Sequence, residues 1–191
     1  GDVCALSPSL VKLMNNRYAA KAFDDRIGCA VAVKAASLVK TPRYDTYYVF
    51  TTQEEVGCRG SKTSAFSIAP DFGIALDVTS TGDTVGSSPM AVSLGNGTAI
   101  KIKDNSAICS PYIVKTLSDI AEKHSIKYQY EILEFGGTDA SSMQTTGCGA
   151  HSGCISIPTR YVHSGVETIE LSDCDASAKL LAAFIENVDG E

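Results

Sequence analysis

Two short apolar runs, residues 45–52 and 72–78, flank a brief helical stretch at 61–66. Both runs are rich in β-branched and aromatic residues and are bounded by glycine- or proline-bearing turns, so they read as strands. Strand, helix and strand in succession make a βαβ unit, whose strands run parallel. Parallel strands joined this way end on one edge of the sheet, where open α/β sheets bind ligands. The first run leads into Glu54-Glu55-Val56-Gly57 and the second carries Asp77, so the unit is expected to bring three carboxylates together. Adjacent acids at a strand end can divide labour, because successive side chains point to opposite sides of the backbone.

The rest of the chain continues the alternation. Residues 25–40 are alanine-rich, apolar almost all round and stop before Thr41-Pro42, which predicts a helix inside a layered fold. Residues 98–103 alternate as a strand with one solvated face. Ser110-Pro111 opens a helix whose buried stripe is Ile113, Val114, Leu117, Ile120 and Ala121. Strands are expected at 127–133 and 154–158. A last helix at 173–188 turns Leu180, Leu181, Phe184, Ile185 and Val188 inward. The pattern calls for an α/β protein, a three-layer α/β/α sandwich around a mostly parallel mixed sheet. With 191 residues and 44% hydrophobic content, one sizeable core is available. Residues 1–20 fit poorly as the beginning of a domain, and Asn15-Asn16-Arg17-Tyr18 reads as a linking loop.

Charge narrows the function classes. Lys and Arg number 16 against 22 for Asp and Glu, a net charge of -6, and no basic block interleaves with aromatics, which argues against a nucleic-acid surface. The longest apolar stretch is too short for a bilayer and is broken by Lys34. The seven cysteines are odd in number and never form Cys-x-x-Cys, so reduced thiols in a cytoplasmic protein are expected. His151 between Cys148 and Cys154 has no evident fourth partner for structural zinc, and His124 near a helix end is given no metal role.

Four segments, taken in order, carry chemistry: Asp24-Asp25-Arg26-Ile27-Gly28, Glu54-Glu55-Val56-Gly57, Ala75-Leu76-Asp77-Val78 and Arg160-Tyr161-Val162-His163-Ser164. Together they resemble the dinuclear-metal glutamyl aminopeptidases, the tetrahedral aminopeptidases whose members are often named cellulase M or endoglucanase. The resemblance runs nearly end to end. It implies a phosphorylase/hydrolase-like metallopeptidase fold and two divalent metal ions of zinc, cobalt or manganese. Asp24 matches the bridging ligand, with a cis peptide to Asp25. Glu55 and His163 match ligands of one ion and Asp77 a ligand of the other. Glu54 matches the general base acting on the water between the ions. The second ion of the family takes a histidine from an N-terminal His-x-Asp motif that this sequence lacks, so the chain alone is expected to hold at most one ion tightly and to show little or no peptidase activity. Gly165 stands where a proline is expected.

The resemblance further implies that residues 1–20 are the tail and linker of an inserted smaller β domain, that 21–191 is a partial catalytic domain, and that the fold is N-terminally incomplete. The expected activity is release of N-terminal residues from short peptides, in a homo-oligomer that is a dodecamer in the family when full length. A related carboxypeptidase or deacylase, or a catalytically silent subunit, is the alternative. The loop Gly136-Gly137-Thr138-Asp139 reads by itself as a turn with Thr138 or Asp139 capping a helix. The family places such a loop beside the cleft, which makes Thr138 and Asp139 candidate substrate contacts.

Overall fold

The computed structural model describes every residue except 6–8 and 191; those positions, which belong to the expected 1–20 and 21–191 segments, lie outside the described residues. The strand expected at 154–158 extends over 151–160, is buried on both faces from Ser152 to Thr159, and is the one around which the sheet is built. In order, the elements are β1 (Val11–Lys12), β2 (Arg17–Ala20), α1 (Phe23–Leu38), a 3-10 turn (Glu54–Val56), α2 (Arg59–Ile68), β3 (Phe72–Thr79), β4 (Thr98–Lys103), α3 (Pro111–Lys123), β5 (Tyr128–Ile132), α4 (Ala140–Gln144), β6 (His151–Arg160), β7 (Glu167–Glu170) and α5 (Leu171–Asn187).

The sheet is mixed. β6 is flanked by β3 in parallel and by β4 antiparallel at Ile155 and Ser156, and β4 pairs in parallel with β5. β7, β2 and β1 follow through short antiparallel ladders, so Arg17 to Ala20 pair directly with Glu170 to Glu167. The two parallel ladders are the longest.

Alternation along β6 divides the interior into two faces. Ile155 and Ile157, both fully buried, face the main core with Ile113, Leu117, Leu180 and Phe184 from α3 and α5. Each such side chain contributes about 1.5–3 kcal/mol by leaving water. Cys154 points the other way, onto Ala75, Ala140 and Met143. Helices thus cover both faces, α1, α3 and α5 on one and the shorter α2 and α4 on the other, which is the three-layer arrangement.

Three expectations are corrected. Residues 45–52 do not form a strand, and the βαβ unit is not made: among the described residues no strand lies where this run would find a ladder. The second is α1, which buries a narrow stripe at Val31 and Ala35 and leaves Val33 and Leu38 exposed, because only one side of it meets α5 and β3. The third is β4, which has no fully solvated face: Thr98, Ala99, Ile100 and Lys101 are all buried. Lys101 stays inside because it pairs with Glu131 on the adjacent β5.

Candidate metal centre

Parallel pairing of β3 with β6 brings their carboxyl ends to the same edge, and there the acids of the sequence motifs gather. Asp77 lies in the last turn of ladder before β3 ends, and His163 follows β6 by three residues. Asp24 begins α1, and its peptide to Asp25 is cis. Glu54 and Glu55 occupy the 3-10 turn that enters α2.

Local sequence explains how these turns close. Ala22, Gln53, Cys58 and His163 all take positive φ, a region that non-glycine residues adopt rarely and that clusters at functional sites. Gly28 leaves room for the Asp25 carboxylate, which folds back over the helix to accept from the Gly28 N–H at 3.2 Å; a Cβ there would lie 2.2 Å from Asp25 Oδ2. Gly60 packs directly on Thr52, whose carbonyl accepts from its N–H at 2.9 Å, and a Cβ would lie 2.5 Å from the Thr52 nitrogen.

Two groups of potential ligands share Asp24. In the outer group, His163 Nε2 is 2.9 Å from Asp24 Oδ2 and 3.4 Å from Glu55 Oε2. The imidazole and the Glu55 carboxylate are open to solvent, whereas Asp24 is nearly covered. In the inner group, oxygens of Asp24, Asp25 and Asp77 lie within 4.8 Å of one another. Asp77 also accepts from the Val78 N–H at 2.8 Å.

Burial, then the charges of Glu55 and Glu167, push Asp24 up to about 6 against the pull of His163. Burial pushes Asp25 up to about 8 against the hydrogen bond from Gly28. Asp77 is raised well above the carboxylate range by burial and by Asp25 and Asp24. Carboxylates crowded into such a site repel one another, and a divalent cation is the partner that would relieve them. Oxygen donors with one imidazole suit zinc, cobalt or manganese, so the residues present fit the expected ions.

Glu54 stands apart from both ligand groups. It is half-buried, its pKa raised by burial, with the Cys58 thiol donating to Oε1 at 3.5 Å and Asp139 close by. Asp139 follows the expected loop but does not cap α4 through its side chain; its oxygens accept from Thr51 at 2.7 Å and Ser61 at 2.6 Å. It lines the same cavity as the metal-type acids. Thr138 is turned inward, 1% exposed, with its hydroxyl 3.4 Å from Asp104.

Two participants carried no assigned role in the sequence. Asp25 brings a carboxylate to the inner group as well as the cis bond. Glu167, 2% exposed, accepts from the backbone N–H of Asp24 at 3.0 Å and from that of His163 at 3.0 Å. Its signal in the sequence is an acid four residues after a ligand histidine, at the head of an apolar strand.

Comparison with known proteins follows the same line. A model of the M42 glutamyl aminopeptidase family matches residues 1–180. A putative aminopeptidase of Acetivibrio thermocellus is 52% identical over 185 residues, 97% of this chain and 56% of that protein. Aminopeptidase APDkam598 from the archaeon Desulfurococcus kamchatkensis superposes with a TM-score of 0.91 at 42% identity, covering 94% of this chain and 51% of that one. The Pyrococcus horikoshii TET1 peptidase, described as assembling into a tetrahedron or a large octahedral shell, gives a TM-score of 0.78 at 31% identity over 94% of this chain and 53% of its own. This chain spans about half the length of the relatives it matches.

Proposed function

This chain belongs to the M42 glutamyl aminopeptidase family, and on that premise we propose that it forms the metal-binding part of an aminopeptidase releasing N-terminal residues from short peptides. The observation that carries the reading is the convergence of Asp24, Glu55 and His163, with Glu54 outside both groups that share Asp24 and gathered instead with Cys58 and Asp139. Asp24, Glu55 and His163 would hold one ion, and Asp24 and Asp77, with Asp25 in reach, a second. Ions held there would polarise the peptide carbonyl and the attacking water.

Glu54, raised in pKa and free of the ligand groups, takes the proton of that water and returns it to the leaving amine. Asp139, held by the hydroxyls of Thr51 and Ser61, has an oxygen within 4.8 Å of this base, and its charge adds to the raised pKa. Asp139 lines the cavity and is the substrate contact we propose from this loop, whereas Thr138, buried with its hydroxyl toward Asp104, supports the loop from beneath.

Assembly into a homo-oligomer is part of the proposal, by likeness to the P. horikoshii peptidase. A cytoplasmic location is proposed from seven unbridged cysteines. A silent subunit is favoured instead only by the half-length match. Hydrolysis of amino-acid p-nitroanilides with micromolar cobalt or zinc, together with metal content after dialysis, tests the proposal. One tightly bound ion per chain and metal-dependent aminopeptidase turnover in the assembled protein are expected; cleavage of C-terminal residues or acyl groups instead would move the activity to a carboxypeptidase or deacylase.

A further inference from the structure

Three charged side chains that the candidate centre does not use lie wholly inside the fold. Lys101 of β4, Asp104 just after it and Glu131 of β5 are each 0% exposed; Lys101 pairs with Glu131 and stands 3.8 Å from Asp104. Alternation turns Lys101 away from Ile100 and the main core, toward the face of the sheet that carries Ala75 and Cys154. Burial pushes the Cys154 thiol well above its usual range, and Lys101, Glu131 and Asp77 all lie close enough to act on it as charges. Burial alone would favour an uncharged amine, but Cys154, Glu131 and Asp104 hold Lys101 above the ordinary lysine value, so it remains an ammonium.

The two carboxylates lead to different sides of the candidate centre. Glu131 accepts at 2.8 Å from the hydroxyl of Thr79, which is 2% exposed and follows Asp77 by two residues on β3. Asp104 leads to the loop that carries Asp139. Its Oδ1 accepts from the N–H groups of Ser106 and Ala107, both at 2.7 Å, and closes a turn on which residues 136–138 are seated. The Asn105 N–H donates to the Gly136 carbonyl at 3.1 Å, a Cβ on Gly137 would lie 2.6 Å from Ser106 Oγ, and the Thr138 hydroxyl reaches Asp104 Oδ2 at 3.4 Å. Asp139 comes next, with its oxygens on Thr51 and Ser61 and beside Glu54.

A buried ion pair is a poor source of stability, because apolar side chains of similar volume often hold a fold as well or better. We propose that Lys101 is kept for the geometry it fixes, as a positioning residue: its ammonium joins the strand of Asp77, through Glu131 and Thr79, to the loop of Asp139, through Asp104 and Thr138. The proposal rests on the aminopeptidase reading above and adds to it a residue that touches neither the metal-type ligands nor the peptide. A shift of about 1 Å in Asp139 would displace both the substrate contact and the neighbour of the base, and misplacements of that size cost up to about 10²-fold in rate.

Lys101→Met and Glu131→Leu made together remove the junction without stranding either partner of the pair. Thr138→Val breaks the link to Asp104 at nearly constant volume, and Thr138→Ser restores it. In the chain alone, where no turnover is needed, amide hydrogen exchange of residues 141–143, whose N–H groups bond to the Thr138 and Asp139 carbonyls, should quicken about 10-fold or more in the double variant and in Thr138→Val. Exchange in β6 and α5 should not change, and Thr138→Ser should match the parent. In the assembled enzyme, kcat/KM on amino-acid p-nitroanilides should fall about 10- to 100-fold in the same two variants at unchanged metal content, with recovery in Thr138→Ser. The Thr138 pair decides the matter even if the double variant does not fold. The inference is overturned if exchange of residues 141–143 stays parental in the variants that fold, if those variants turn over as fast as an active parent, or if Thr138→Ser is as impaired as Thr138→Val. A parent enzyme with no aminopeptidase turnover would instead remove the functional reading, and the exchange rates alone would then decide whether Lys101 holds the loop.

Discussion

Oδ2 of Asp24 stands 2.9 Å from Nε2 of His163, although the two residues arise from opposite ends of the described chain. Glu167 fixes that spacing by accepting from the backbone N–H of each. Its carboxylate touches no ligand atom, so its substitution separates support from coordination. Glu167→Ala should weaken cobalt binding about 10- to 100-fold, the usual cost of losing an outer-shell partner. Titration of the dialysed chain with cobalt, followed by its visible absorption, would check this; unchanged affinity would mean that the loops hold their geometry alone.

Glu54→Gln should leave metal content intact and lower turnover of the active enzyme about 10²- to 10⁴-fold, because it removes a base and not a ligand. Metal analysis and rate measurement on the same sample distinguish the outcomes. A variant that loses its metal would place Glu54 in the coordination shell.

Metal removal should make stability depend on pH in an unusual direction. Asp24 at about 6 and Asp25 at about 8 bind protons in the fold that they release, near the ordinary 3.8, when unfolded. Between roughly pH 4 and 8 the native state therefore holds more protons than the unfolded one, and stability falls as pH rises through that window. The metal-free chain should show a lower Tm at pH 8 than at pH 5, by about 2–4 °C for each kcal/mol. Added zinc or cobalt should cancel this trend, because the ions compete with protons for the same oxygens. A metal-free Tm that rises across the window would contradict the arrangement.

Lys101, Glu131 and Asp104 have fully buried side chains, with Lys101 paired to Glu131 and 3.8 Å from Asp104. Thr79, two residues beyond Asp77, donates to the same Glu131 oxygen at 2.8 Å. Lys101→Met should cost about 3–5 kcal/mol by stranding two buried carboxylates. The double variant Lys101→Met, Glu131→Leu should recover part of that loss. Urea denaturation of the three proteins would measure both effects.

Helix α3 was legible because its start is written locally, in Ser110-Pro111, and its stripe has the right period. The candidate ligands were legible because each motif is short and continuous. What escaped depends on distant partners. Residues 45–52 have a strand's composition, but a strand exists only against a neighbour. Lys101 looked solvated by alternation, and only the parallel register with β5 places Glu131 beside it. Glu167 escaped because it works through two backbone amides that no local pattern joins.

Strand β6 is also a ruler. Its parallel register with β3 runs without a break from Phe72 opposite His151 to Thr79 opposite Pro158. Inserting or deleting one residue between positions 72 and 77 would turn Asp77 from the face it shares with Ala75 to the opposite one, toward the main core against which Ile74 and Leu76 pack. Length changes there should be intolerable in this lineage, while the polar loop at 80–97 between β3 and β4 is where chain length is free to drift.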